Sequence, residues 1–358
     1  MSGPFAAEPL GKADVALDLA RDDDREDDRR DDRASSLDAV ASAVRNGMSL
    51  ARKRLPPWLL YDDEGSALFE EITRLPAYYL TATERAILTA HADAVLEAAG
   101  FPGEIVELGA GSASKTRVLL AALRGRQARV RYVPVDVSPA ALAKATLVLR
   151  SLRHVDVRPV VARYPEELGF LRRPVEGRRL VLFLGSNVGN YDPPRAIELL
   201  AAVRRHLAPG DGFLMGVDRR KSPALLLPAY DDDAGVTARF NKNVLTRINR
   251  ELGANFDLDR FRHVVIWNGR ASRLDLFLES AVAQRVVIPA LNLRVELAAR
   301  ERIHMESSYK LTDARVRDLL ERAGFTPEAL WTDERGLYAV HLARVPEDRG
   351  RAPSRRRA

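Results

Sequence analysis

Residues 103–122 read GEIVELGAGSASKTRVLLAA. Gly103 to Leu108 form a short apolar run, Gly109 and Gly111 punctuate it, and Lys115 to Leu120 restart the apolar pattern at helical spacing. This is a strand, a tight turn and a helix. Glycines at such a turn let the backbone approach a ligand closely, and the next helix offers unpaired N–H groups. A nucleotide-like cofactor is the chemistry that fits. The spacing is G-x-G-x-x-S, with Ser114 where a dinucleotide fingerprint has its third glycine, so the turn alone also fits a plain strand-to-helix connection. Two acids add to it: Glu107 at the end of the first strand and Asp136 near the end of RVRYVPVDV. A carboxylate at the end of the second strand suits the two hydroxyl donors of a ribose, in NAD and S-adenosylmethionine enzymes alike.

Outward from this stretch the pattern alternates. Strands are expected at 130–137, 155–161, 180–184 and 213–217, with helices at 115–123, 140–152 and 194–207 between them. Ser138 and Pro139 form a cap and first-turn pair. Alternation of this kind predicts a parallel sheet with helices on both faces. It stops at Ser222: 222–256 reads helical, and 263–310 alternates like a strand meander. A helix at 313–323 ending at Gly324 and two strands near 329–331 and 337–343 close the pattern. On the N-terminal side, 37–51 is an amphipathic helix pattern, and Pro76 separates the helical segment 66–72 from Tyr78 and Tyr79. Thr81 or Thr83 is expected to cap the helix running through His91. Residues 1–36 carry RDDDREDDRRDDR and no apolar face, which predicts a disordered charged tail.

Composition narrows the function classes. The chain has 358 residues, 46% of them hydrophobic, enough for a large core. It has no cysteine, which excludes disulfides, thiolate metal sites and a cysteine nucleophile, and its six histidines show no HExxH or HxxxH spacing, so no metal is expected. No apolar run reaches the 18 residues of a membrane span and the first residues lack a signal-peptide pattern, which points to the cytoplasm. The net charge is +6, of which five arginines between Arg349 and Arg357 supply +5. The remainder is near neutral, and nucleic acid is not an expected partner.

Five longer motifs occur in order: LPPWLLYDDEGSALFEEITRLPAYY, VELGAGSASKTRVLL, FLGSNVGNY, AYDDDAGVTARFNKNVLTRINREL and HMESSYKL. Over 55–344 the chain resembles the histidine-specific, S-adenosylmethionine-dependent methyltransferases of ergothioneine biosynthesis. The resemblance implies an α/β fold: a Rossmann-like, seven-stranded class I methyltransferase sheet with an inserted α+β substrate-binding lobe. The implied division is a charged tail at 1–36, substrate-lobe segments at 37–82 and 221–309, the methyltransferase domain at 83–220 completed by 310–346, and a basic tail at 347–358. It implies S-adenosylmethionine as cofactor, held by Glu107, Gly109, Ala110, Gly111, Lys115, Asp136 and Tyr164. The substrate implied is L-histidine, trimethylated on its α-amino group to the betaine hercynine. Asn190 and Tyr230 are then the carboxylate contacts, Glu306 and Ser308 the imidazole contacts, Tyr78 and Leu276 further pocket walls, and Asn190 and Tyr61 the residues nearest the chemistry. A monomer acting on a small molecule, without membrane or nucleic acid, is the implied setting.

Two positions depart from the family pattern. Ala162, Arg163 and Tyr164 stand where an acid is expected to receive the adenine amino group, which shifts that role to Glu166, Glu167 or a backbone carbonyl. Leu276 stands where a methionine is expected, a swap that conserves bulk. The same fold acting on another amino acid or an aromatic amine, or a cofactor-binding protein without turnover, are the alternatives the sequence leaves open.

Overall fold

The structure is a computed structural model that describes residues 37–172 and 176–347; the expected tail 1–36 and all but Glu347 of the expected tail 347–358 lie outside the described residues. Helix α1 covers 37–48. It is followed by α2 (Asp63–Ile72), α3 (Tyr79–Ala99), β1 (Glu104–Leu108), α4 (Thr116–Ala122), β2 (Val130–Asp136), α5 (Pro139–Leu149), β3 (Val155–Val157), β4 (Val160–Val161), β5 (Arg179–Phe183), α6 (Pro193–Arg204) and β6 (Gly212–Asp218). Then come α7 (Pro223–Tyr230), α8 (Val236–Leu252), β7 (Phe261–Asn268), β8 (Arg273–Ser280), β9 (Gln284–Ile288), β10 (Leu293–Leu297), β11 (Arg302–Tyr309), α9 (Asp313–Arg322), β12 (Thr326–Thr332) and β13 (Tyr338–Arg344).

The main sheet runs β12-β13-β6-β5-β1-β2-β3, with β4 also on β2. All pairs are parallel except those of β13, which is antiparallel to both β6 and β12. The expected third strand, 155–161, is therefore two short strands in one lane. Arg158 still donates to the Tyr132 carbonyl (2.8 Å), but Pro159 has no N–H to continue the ladder. Every residue of β1, β5 and β6 is buried, as a sheet covered on both faces requires. Helices α3, α4 and α5 cover one face through residues such as Leu88, Leu96, Leu120 and Leu149. Helices α6 and α9 cover the other through Leu199, Leu200, Val316 and Leu320. Each such side chain contributes about 1.5–3 kcal/mol by leaving water.

Local chemistry explains the helix starts. The Ser138 hydroxyl accepts from the Ala141 amide (3.2 Å) with Pro139 in the first turn, as expected. Asp192 and Thr312 cap α6 and α9 in the same way. Neither Thr81 nor Thr83 caps α3, which begins at Tyr79; Thr83 lies inside it and its hydroxyl donates back to the Tyr79 carbonyl (2.8 Å).

Beyond β6 a second, antiparallel sheet has the order β11-β8-β7, and β9 and β10 form a hairpin. Helix α8 packs residues 57–72 against it: Asp62 caps α2, accepts from Asn243 (2.6 Å) and pairs with Arg250 (2.7 Å), while Arg247 donates to the Leu59 carbonyl (3.1 Å). One continuous buried cluster joins this region to the α3 face of the main sheet, with Phe240, Val244 and Leu274 in contact with it alongside Leu88. No helix among the described residues is long and apolar enough to cross a membrane.

Candidate active site

A cleft of about 2020 Å³ opens above the carboxyl ends of β1, β2 and β5, and the chain leads from β1 to β2 toward one edge of the sheet and from β5 to β6 toward the other. Gly109, Gly111, Asp136 and Tyr164 line it, as do Trp58, Arg163, Glu166, Asn187 and Asn190. The turn after β1 is held from within. The Gly109 and Ala110 amides donate to the Val135 carbonyl (2.8 and 3.0 Å), and the Gly111 amide to Asp136 Oδ2 (2.9 Å). Asp136 Oδ1 accepts from the Ser138 amide (3.0 Å). Burial raises the Asp136 carboxyl above its usual range, and those amide hydrogen bonds oppose the rise. Its remaining lone pairs are free to accept from donors in the cleft, such as a diol.

The glycines matter for shape. A Cβ on Gly109 would lie 2.7 Å from Asn187 Nδ2 and 2.8 Å from the Tyr164 hydroxyl, and Gly109 has φ +74°. At Gly111, φ +52°, a Cβ would meet nothing within 4 Å and would fill the cleft itself. A flat adenosyl group passing over bare backbone fits this cradle.

Three residues assigned to the cofactor stand apart from the cleft lining. Ala110 is buried with its amide spent on β2. Glu107 points into the sheet, where the Tyr132 hydroxyl donates to it at 2.5 Å, and burial pushes its carboxyl up to about 7. Lys115 pairs with Glu84, a buried acid of α3 that also accepts from the Gly185 amide (2.9 Å) and the Tyr338 hydroxyl (2.8 Å). Lys115 is thus a partner of the acid that holds the turn after β5. Glu84 was not singled out from sequence, because its partners lie 31, 101 and 254 residues away.

Arg163 lies over Trp58 (5.7 Å to the ring) at the cleft wall. Glu167 is committed to it, accepting from the Arg163 amide (2.9 Å) and guanidinium (3.4 Å), while Glu166 lines the cleft. Of the two acids proposed for adenine, Glu166 is the one the cleft contains.

Beneath the cleft lies a smaller inner pocket. Tyr61, Tyr78, Asn190, Tyr230, Leu276, Glu306 and Ser308 all line it, together with Phe69, Asn187, Phe240 and others. Tyr61, Phe69, Asn187, Asn190 and Glu306 belong to both spaces, so the two meet there. The aromatic wall is edge-packed: Tyr61 on Phe69 (5.6 Å) and Phe240 (5.4 Å), Tyr78 on Tyr230 (6.2 Å). Burial and the nearby Glu306 carboxyl raise the Tyr61 and Tyr78 hydroxyls well above their usual range, so both are neutral donors.

Glu306 reaches the pocket through a bulge in β11. His304 pairs with Phe277 and Glu306 with Leu276, so Met305 is the extra residue. The bulge puts His304 on the side of Ser307, with which it hydrogen-bonds (2.9 Å), and Glu306 and Ser308 together on the other. Burial pushes Glu306 up to about 7, against the opposing pull of Lys310 and His304. Behind the pocket, fully buried Lys310 donates to the Tyr230 hydroxyl (2.7 Å) and the Ser308 hydroxyl (2.9 Å) and pairs with Asp218 (2.8 Å). Asp218 also holds Lys221 and the Tyr79 hydroxyl (2.9 Å). Lys310 and Asp218, like Glu84, are residues sequence reading missed; for Lys310 the K of HMESSYKL was the available signal. Among the described residues no group of three His, Cys, Asp or Glu is placed to hold a metal ion.

Comparison with known proteins bears on this arrangement. A family model described as histidine-specific methyltransferase, SAM-dependent, matches residues 40–345. The chain is 42% identical over 310 residues to a histidine N-alpha-methyltransferase of Mycolicibacterium smegmatis, covering 86% of this chain and 96% of that protein. A histidine N-alpha-methyltransferase of Mycobacterium tuberculosis is 42% identical over 306 residues, 85% and 94% of the two chains. Ergothioneine biosynthesis protein 1 of Schizosaccharomyces pombe is 30% identical over 303 residues, 81% of this chain and 39% of that longer one.

Proposed function

The chain belongs to the histidine-specific, S-adenosylmethionine-dependent methyltransferase family, and from that we propose how its two spaces divide the work of converting L-histidine to its trimethyl betaine. S-adenosylmethionine supplies an electrophilic methyl group. The chain must present the α-amine unprotonated, aligned and dry, so positioning carries the catalysis. Asp136 holds the ribose hydroxyls, Gly109 and Gly111 leave room for the adenosyl group, and Glu166 takes the adenine amino group in place of the acid absent at Arg163.

In the inner pocket Asn190 and Tyr230 hold the α-carboxylate, Glu306 and Ser308 the imidazole, and Tyr78 and Leu276 fill its sides. Tyr61 stands with Asn190 where the pocket opens to the cleft, which is where the amine must sit. The observation that carries this reading is that the six residues assigned to the substrate and Tyr61, assigned to the chemistry, all line one pocket, and three of the seven, Tyr61, Asn190 and Glu306, also face the cleft. A dimethylated amine has no N–H left to donate. The later turnovers therefore depend on the two ends of the substrate being held, and the pocket has polar groups for both.

The setting we infer is a cytoplasmic monomer, with mass in solution as the check. The substrate is tested by mass spectrometry of a reaction with mixed amino acids. Histidine should gain up to three methyl groups, and a dominant gain on an aromatic amino acid would replace it.

A further inference from the structure

The wall shared by Tyr230 and Ser308 has a hydrogen count that restricts what it can offer. Lys310 is fully buried, and its three ammonium hydrogens have three acceptors: Asp218 Oδ2 at 2.8 Å, the Tyr230 oxygen at 2.7 Å and the Ser308 oxygen at 2.9 Å. The two hydroxyls are also 3.0 Å from each other, so one donates to the other. Two hydroxyl hydrogens are available and one is consumed between them. A single hydrogen is left to face the pocket. The charge behind the wall has a sign as well: Lys310 and Lys221 both pair with Asp218, so these three groups together carry one positive charge.

We propose that Lys310 is a positioning residue for the substrate: by donating to Tyr230 and Ser308 at once, it ties them into a unit that offers one hydrogen, and an anionic oxygen at Tyr230 obliges Ser308 to accept. When Tyr230 gives its hydrogen to the substrate carboxylate, the Ser308 hydrogen must fill the contact between them. Lys310 occupies one lone pair of Ser308, and the other faces the ring. The ring then presents an N–H to Ser308, and its second nitrogen shares a proton with Glu306. Carboxylate capture and ring orientation are thereby one event, set from behind by a lysine that touches no substrate. This rests on the substrate reading above.

A double-mutant cycle tests it. Lys310→Met should raise KM for histidine by at least about tenfold while kcat changes by no more than about threefold, and S-adenosylhomocysteine affinity should stay as in the native protein. In the Lys310→Met background Ser308→Ala should cost markedly less than in the native protein, because the serine is no longer held as an acceptor. Additive effects, or an unchanged KM with a lowered melting temperature, would make Lys310 a packing residue and overturn the proposal. The Tyr230→Phe and Ser308→Ala cycle asks about the shared hydrogen without touching the buried lysine; additivity there has the same meaning. The native protein assayed in parallel separates the two readings. If it methylates another amino acid instead, the histidine assignment falls and the cycle is measured on that amino acid.

Discussion

The cleft proposed for the cofactor and the inner pocket share Tyr61, Phe69, Asn187, Asn190 and Glu306, yet they are assembled differently. At the glycine turn the cleft wall is backbone: the amides of Gly109, Ala110 and Gly111 are all spent on β2 or Asp136, and what remains there is a bare surface beside the Asp136 carboxylate. The pocket is mostly side chain, brought from the end of a short turn at Tyr61, α2, the start of α3, the turn after β5, the end of α7, α8, and strands β8 and β11. On the proposed reading one recognises by close approach, the other by burying polar groups whose partners are fixed. Consecutive residues suffice for the first; the second needs the whole fold.

If this division is right, damage to one region should spare the other. Glu306→Ala should lower kcat/KM for histidine by at least about a hundredfold, with a smaller loss for aromatic amino acids, since a site built around a polar ring loses most when that partner goes. Calorimetry with S-adenosylhomocysteine should show little change, and an equal loss there would break the comparison. Asp136→Ala reverses the test: S-adenosylhomocysteine affinity should fall by about 2 kcal/mol, near thirtyfold, as charge-assisted hydrogen bonds are lost. Histidine KM at saturating cofactor should stay near native.

The pocket's burial cost gives a smaller effect. Desolvation raises Glu306 in the folded protein to about 7, from an ordinary 4.5. A raised carboxyl contributes stability below its unfolded value and loses it as pH rises through the folded value. Glu306→Gln should therefore raise the melting temperature by about 2 °C or more at pH 8, and the gain should vanish near pH 4. A gain independent of pH would mean that the carboxyl is not held in a dry site. The smallest effect is expected from Leu276→Met, which keeps the wall opposite Glu306 apolar and of similar bulk. It should move histidine KM by about threefold or less.

The same contrast decides what could be read from the chain before its structure. The turn 103–122 was legible because its strand, glycines and helix are consecutive, and Asp136 because it ends the next strand. The pocket residues came from motif resemblance; periodicity placed only Glu306 and Ser308 on one face. The bulge at Met305, which separates Glu306 from His304, leaves no mark in alternation. Lys115 was assigned to the cofactor by motif resemblance, and nothing local in the sequence points to its partner Glu84, which lies in a helix 31 residues earlier. Lys310 and Asp218 are 92 positions apart and meet only because residue 310 leaves the second sheet beside the end of β6. The third strand was expected unbroken over 155–161; Pro159, with no N–H to donate, splits that lane into β3 and β4.

Strand β13 lies between β12 and β6, and Tyr338, its first residue, gives Glu84 one of its hydrogen bonds. That placement imposes a timetable on biosynthesis. A chain emerging from the ribosome makes the glycine turn, Asp136, Asn190 and even Glu306 well before residue 338, but until then β6 has an open edge and Glu84 has Lys115 and the Gly185 amide without its third partner, Tyr338. The turn after β5, which carries Asn190, is anchored through that same carboxylate. Competence therefore arrives with the final strand pair, and a nascent chain stalled before it should bind cofactor poorly however complete its binding motifs are.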